Sequence, residues 1–155
     1  MLQVQFVPYT PKYEIDCLNL LKSNLGDYFA KDEVADFIMF LQEQVQTIDY
    51  FIGLLEGKVV ACGGWELKLS TCGNNEAYLR WGMVDRQIHH KGLGSALLDF
   101  RLSKIHKACP SVNVIINTSR QAHGFFEQKG FRTINIQKNG IAIGIDKYVM
   151  QRTSA

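Results

Sequence analysis

The 155 residues, 46% hydrophobic and 21% charged, have the balance of an ordinary globule, long enough to bury a core without disulfide or metal staples. Net charge is only +2, with Lys and Arg interspersed among Asp and Glu, so no basic stripe is offered to a nucleic-acid backbone. No apolar run reaches the roughly 18 residues that a membrane span needs, so neither nucleic acid nor membrane is expected as a partner.

Residues 2–9, LQVQFVPY, alternate apolar and polar and read as a strand. Thr10 is a candidate N-cap, and Pro11 at the first helical position opens a helix through residue 24. A second helix is expected over 33–47, with Val34, Phe37, Ile38, Leu41 and Val45 on one face. The period then changes. Residues 50–69 read as two strands joined at a Glu56-Gly57 turn. Residues 76–84 form another, on which Glu76, Tyr78, Arg80 and Val84 share a face by the two-residue period. A glycine-bearing loop leads into a helix whose apolar positions include Leu93, Leu97, Phe100 and Leu98, Leu102, Ile105. Residues 112–119 read as a short buried strand, 122–129 as a helix stopped by Gly130, and 131–137 and 141–150 as two closing strands. That order predicts a mixed α/β sheet with a strand-loop-helix crossover in its middle. With no linker, repeat or low-complexity block, residues 1–155 are expected to form one domain.

The crossover loop carries the chemistry. In HHKGLGSALLDF, residues 89–100, Gly92 and Gly94 allow positive φ or close approach of a ligand. The helix that starts there points unpaired N–H groups outward. Together they suit an anion, most naturally a phosphate. The P-loop pattern is excluded because no Gly-Lys-Ser/Thr occurs, and the dinucleotide fingerprint because Leu97 stands where its third glycine belongs. His89 and His90 are adjacent on a loop, with no Cys or carboxylate cluster close in sequence, so no metal is expected. Cys17, Cys62, Cys72 and Cys109 lie far apart without C-x-x-C spacing, and read as reduced thiols of a cytoplasmic protein.

The segment HHKGLG resembles the acyl-CoA loop Gln/Arg-x-x-Gly-x-Gly/Ala of the GCN5-related N-acetyltransferases, the GNAT superfamily, with His89 in the Gln/Arg slot. The wider frame MVDRQIHHKGLGSALL is similar to V-x-P-x-x-Q-x-x-G-x-G-x-x-L-L, with Val84 matched and Arg86 in the proline slot. Downstream, NTSRQAHGFFEQKGF is similar to N-x-x-A-x-x-x-Y-x-x-x-G-F: Ser119 takes the Asn position, Ala122 matches, Phe126 replaces Tyr, and Gly130-Phe131 match. The resemblance implies the GNAT fold, a mostly antiparallel sheet splayed at the acyl-CoA site and flanked by about four helices. It also implies transfer of an acetyl group from acetyl-CoA to a primary amine of a small molecule or peptide, without a metal.

On the same resemblance, backbone groups at His90, Lys91, Gly92, Leu93, Gly94 and Ser95 hold the CoA pyrophosphate, with His89 before them. Pantetheine pairs like an added strand with Met83 and Val84, and Asn117, Ser119 and Phe126 complete the CoA site. The Val84 N–H faces the thioester carbonyl oxygen, while Arg86 and Lys91 offer charge to the phosphates. Candidate bases are Tyr78, Glu76 and Glu66. Phe126 stands where relatives carry a tyrosine acid, which leaves Tyr148 as the candidate acid. Arg80, projecting toward the acceptor, would favour a substrate carboxylate or phosphate, or would pair with Glu76. A second reading is a non-catalytic acyl-CoA sensor, which Phe126 and the lack of a clear base favour. A third is a small interaction protein whose glycines only pack the helix. A C-terminal edge strand leaves room for a homodimer.

Overall fold

The computed structural model describes residues 3–26, 28–69, 75–88 and 92–153. Along the chain run β1 (Gln5–Pro8), α1 (Glu14–Ser23), α2 (Glu33–Met39), β2 (Asp49–Leu55), β3 (Lys58–Leu69), β4 (Asn75–Val84), α3 (Leu93–Ala108), β5 (Asn113–Thr118), α4 (Arg120–Gln128), β6 (Arg132–Ala142) and β7 (Ile145–Arg152). The strands make a seven-stranded sheet in the order β1-β2-β3-β4-β5-β7-β6. Every neighbouring pair is antiparallel except β4 and β5, which the α3 crossover joins in parallel. The expected mixed α/β sheet, its mostly antiparallel pairing and the four flanking helices are all present.

Local chemistry accounts for most boundaries. Glu56 (φ 51°) and Gly57 (φ 79°) make the two-residue turn between β2 and β3. Pro11 opens a 3-10 turn, Pro11–Tyr13, ahead of α1; Thr10 is extended there, but its side chain caps nothing. The helix expected over 33–47 is regular only to Met39. Residues Phe40–Gln44 widen into a π turn and Val45–Thr47 tighten into a 3-10 turn, which draws Phe40, Leu41 and Val45 into one core. The last hairpin reverses later than the expected break at 138–140. Strand β6 runs on to Ala142, and the reversal uses Gly144 at φ 82°. Asn139 (φ 56°) makes a bulge instead: its N–H donates to Asp146 Oδ1 at 3.0 Å, and its own Oδ1 accepts the Gly144 N–H at 2.7 Å.

One core lies on each face of the sheet. Helices α1 and α2 bury Leu21, Phe37 and Phe40 against Tyr50, Ile52 and Met83. On the other face α3 and α4 bury Leu98, Ile105 and Phe126 against Ala77, Leu79 and Met150.

Strand β4 does not keep its alternation. Between the pairs Gly64↔Arg80 and Cys62↔Met83 it carries one residue more than β3. The result is a bulge at Trp81, whose φ is 45°. The Tyr50 hydroxyl donates to the Trp81 carbonyl at 2.7 Å and holds the bulge in place. One extra residue inverts the faces. Glu76, Tyr78 and Arg80 face α1 and α2, as Met83 does, but Val84 now faces α3, which corrects the expectation that it shares their side. Past Tyr78, β4 and β5 also part company. Their ladder joins only Glu76, Ala77 and Tyr78 to Asn113, Val114 and Ile115, and the strands splay beyond it.

Candidate functional site

Two cavities meet in that splay. The larger, 490 Å³, lies beside the N-terminus of α3 and is lined by Gly82, Met83, Val84, Gly92, Gly94, Ser95, Arg101 and residues of α4. The smaller, 260 Å³, is lined by Glu33, Arg80, Trp81, Asn117, Ser119 and Ile141 among others. Tyr28, Phe29, Gly82, Arg101, Ala122 and Phe126 border both, so the cavities adjoin at the bulge.

At the larger cavity the helix start is built by glycine. Gly92 caps α3 at φ 84°, and a Cβ there would meet nothing within 4 Å, so its requirement is conformational rather than steric. Leu93 is buried and anchors the first turn. Ala96 N–H bonds the Gly92 carbonyl at 3.0 Å, so the amides of Leu93, Gly94 and Ser95 are first-turn donors that helix geometry leaves for other acceptors. On β4, Asp85 N–H donates to Val60 O at 2.8 Å. The alternation therefore turns the peptide groups of Val84 toward the gap. Asn24 Nδ2, almost fully buried, donates to Val84 O at 2.9 Å and to Leu20 O at 2.8 Å, tying α1 to this edge.

At the smaller cavity Arg80 is already paired. Its Nη1 lies 2.5 Å from Glu66 Oε1, which Lys68 approaches at 3.3 Å, and its guanidinium covers the Phe40 ring at 5.6 Å. Its structural partner is thus Glu66 rather than Glu76. Glu33, the first residue of α2, accepts the Ala30 N–H at 2.8 Å. Burial raises its pKa, the Ala30 hydrogen bond pulls it back, and Asp36 raises it again.

Of the residues singled out from the sequence, Met83, Val84, Gly92, Gly94 and Ser95 line the larger cavity, Asn117, Ser119 and Arg80 the smaller, and Phe126 both. Leu93 sits beneath them. His89, His90 and Lys91 lie outside the described residues. Glu66, Glu76, Tyr78 and Tyr148 line neither cavity. Glu76 and Tyr78 stand in the closed part of the ladder, opposite Asn113 and Ile115. Burial, then Glu76, raises the Tyr78 pKa, and Lys68 covers its ring at 5.0 Å. Tyr148 lies opposite Thr118, its ring 5.0 Å from that of His123.

Glu33, Asn24, Trp81 and Arg101 went unnoticed in the sequence. Only the glycines opposite Arg101, at 63 and 82, hinted at a crowded strand crossing. Among the described residues no group of three or more His, Cys, Asp or Glu is placed to hold a metal, and no helix is long and apolar enough to cross a membrane. Cys17, Cys62 and Cys109 carry free thiols. The hydrogen bond to Cys62, with burial, pushes the Cys17 thiol far up, away from reactivity.

Residues 29–153 match the family model of the acetyltransferase (GNAT) domain. No curated protein sequence matches the chain. Among solved structures, a GNAT-family protein from Desulfovibrio desulfuricans superposes with a TM-score of 0.79 at 19% identity, covering 99% of this chain and 100% of its own. The ribosomal-protein-S18-alanine N-acetyltransferase from Escherichia coli gives 0.77 at 17%, covering 99% and 95%. Naa50 from Arabidopsis thaliana, in complex with the bisubstrate analogue CoA-Ac-MVNAL, gives 0.70 at 17%, covering 97% and 98%. At these identities the likeness is one of fold.

Proposed function

The chain belongs to the GNAT acetyltransferase family, and from that premise we propose that it transfers an acetyl group from acetyl-CoA to a primary amine of a small molecule or peptide. The observation that carries the reading is the pair of cavities adjoining at the β4 bulge, one bordered by the α3 N-terminus and the other by the half-buried carboxylate of Glu33. The first suits the donor and the second the acceptor.

The residues present fit a CoA thioester. First-turn amides at Leu93, Gly94 and Ser95 suit phosphate, although a helix-end field of about 0.3–1 kcal/mol is small beside the roughly 8 kcal/mol of a micromolar ligand. The channel walls must supply the rest. The thioester supplies an acyl carbon open to attack and a thiol leaving group of pKa about 8.5, which needs little acid assistance. Phe126, with no proton to give, is compatible with that. Val84, its N–H on the gap side of β4, is the donor proposed for the acyl oxygen.

The amine must lose its proton. For a lysine, with a pKa about 3.4 units above neutrality, this costs roughly 4–5 kcal/mol, against about 1 for an α-amine. Glu33 is the carboxylate on the acceptor side, and burial makes it a stronger base than an exposed one. The peptide-type ligand of the Arabidopsis structure and the alanine acceptor named for the E. coli enzyme support an α-amine, the less demanding case.

A CoA-sensing role is the second reading, favoured by Phe126 and by the absence of Glu66, Glu76, Tyr78 and Tyr148 from the lining of either cavity. Thermal shift with acetyl-CoA, followed by thiol release across an amine panel, tests both. Stabilisation with release supports transfer, stabilisation with none across the panel supports sensing, and no stabilisation overturns the donor site.

A further inference from the structure

Arg101 lies in the third turn of α3 and is only 3% exposed. Its guanidinium is pressed against the sheet where β4 bulges, and glycines make the room. A Cβ on Gly82 would stand 2.5 Å from Nη2 and 2.6 Å from Nη1, and one on Gly63 would stand 3.4 Å from Cζ. Gly64 offers its carbonyl, but 3.4 Å from Nη1, at the limit of a hydrogen bond. Nε has no partner, and none of the ion pairs found among the described residues involves this side chain. Burial lowers its pKa to about 10, with Tyr50 and Cys62 pulling it back up, so it remains a cation at neutral pH. A buried cation so poorly compensated weakens the fold, and an apolar side chain would fill the space without that penalty. Arg101 borders both cavities, so a ligand can supply the missing anion.

We propose that Arg101 receives a carboxylate at the far end of the transferred acyl group, so that the protein takes dicarboxylic acyl thioesters, succinyl-CoA foremost, as donors beside acetyl-CoA. The proposal rests on the CoA-dependent reading above and concerns which acyl group the channel selects. Arg101 belongs to the donor side because it shares the face of α3 that carries Leu97 and leads from Gly94 along the larger cavity. On the acceptor side the cation is Arg80, already neutralised by Glu66.

Length selects the acid. Gly82 and Val84 are two residues apart on β4, about 6.6 Å along a strand. With the acyl carbonyl at Val84, three C–C bonds reach roughly 4 Å and a hydrogen bond of about 2.9 Å closes the distance to the guanidinium. A succinyl chain meets this span, a malonyl chain falls short, and acetyl leaves the guanidinium bare. In the transfer, the amine lone pair forms the C–N bond and the C–S bond breaks with its electron pair on sulfur. The proton lost by nitrogen ends on the thiol, and the distal carboxylate passes unchanged into the amide product.

Calorimetric titration of the full chain with free CoA, acetyl-CoA, butyryl-CoA and succinyl-CoA tests the inference. Butyryl matches succinyl in length without its charge. The expected result is succinyl-CoA binding about tenfold or more tighter than butyryl-CoA, with that ratio collapsing toward one in Arg101→Met and partly restored in Arg101→Lys. A wild-type ratio at or below one overturns the proposal even if the methionine variant does not fold, and so does a ratio unaltered by Arg101→Met. Failure of free CoA to bind removes the donor site itself, and this proposal with it. Binding of free CoA without charge preference removes only the anionic acyl group.

Discussion

Trp81 holds a backbone conformation that non-glycine residues seldom adopt, φ 45°, and the hydrogen bond from the buried Tyr50 hydroxyl to its carbonyl stabilises it. Tyr50→Phe keeps the ring but leaves that carbonyl without its donor, so a loss of about 1–3 kcal/mol is expected in urea unfolding. Acetyl-CoA affinity should fall in the same variant, because the bulge that turns Val84 to the gap would relax. Unchanged stability would show that the bulge holds itself. Glu33 makes a pH prediction. Its raised pKa means that the native state keeps the proton when the unfolded chain has released it. Stability therefore falls as pH rises from the ordinary carboxylate range to the raised value, and levels off above it. Glu33→Gln should flatten that slope in melting temperature against pH and stabilise the chain at neutral pH. It should also lower kcat/KM for a lysine-like acceptor by about 10²–10⁴-fold and move the acid limb up to the amine's own ionisation, since only the neutral amine then reacts. An acid limb unchanged in position in the variant would assign the base elsewhere.

Helix α3 works at two points on its buried face: its start offers amides to the larger cavity and its third turn carries Arg101 beneath the bulge. Gly94 lies at the first of these. A Cβ there would sit 3.5 Å from the Phe125 ring, ordinary contact, so a small side chain is tolerated sterically. Gly94→Asp adds a negative charge where phosphate is proposed to bind, and CoA affinity is expected to fall at least about tenfold with little change in urea midpoint. Equal affinity would place the pyrophosphate away from this turn. Helix α4 is held by its own termination. Gly130 at φ 90° donates to Glu127 O at 3.2 Å and Phe131 N–H returns to Phe126 O at 3.0 Å, which fixes Phe126 where the two cavities adjoin.

The sheet as a whole separates the proposed donor site from the proposed acceptor site. Helices α3 and α4 cover one face and α1 and α2 the other, and the parted strands β4 and β5 open a way between. A ligand seated there touches both cores, so its binding stabilises the whole chain. With acetyl-CoA at a hundred times its Kd the gain is about 2.7 kcal/mol, and for a chain of this size the melting temperature should rise about 5–10 °C. No rise at millimolar concentration would count against the donor site. A rise of that size with free CoA alone would show that the nucleotide end, rather than the acyl group, provides most of the affinity.

Order and kind of the elements could be read directly from the sequence, because turn chemistry and periodicity act over a few neighbouring residues: Glu56-Gly57, Gly130 and the run from Gly92 all do in three dimensions what their local pattern predicts. The loop residues Gly92, Gly94 and Ser95 were identified the same way, and they line the cavity. What depended on distant partners was hidden. The extra residue in β4 exists only in its pairing with β3, so the side taken by Val84 followed from register rather than from a two-residue count. Arg80 met Glu66 across the strands, and Glu33 reached the smaller cavity from a helix more than forty residues from Arg80 in the chain. Arg101 read as one more charged helical position. Only packing against Gly63 and Gly82 buried it, because burial is a property of what a side chain is brought against, and the chain chooses that in three dimensions.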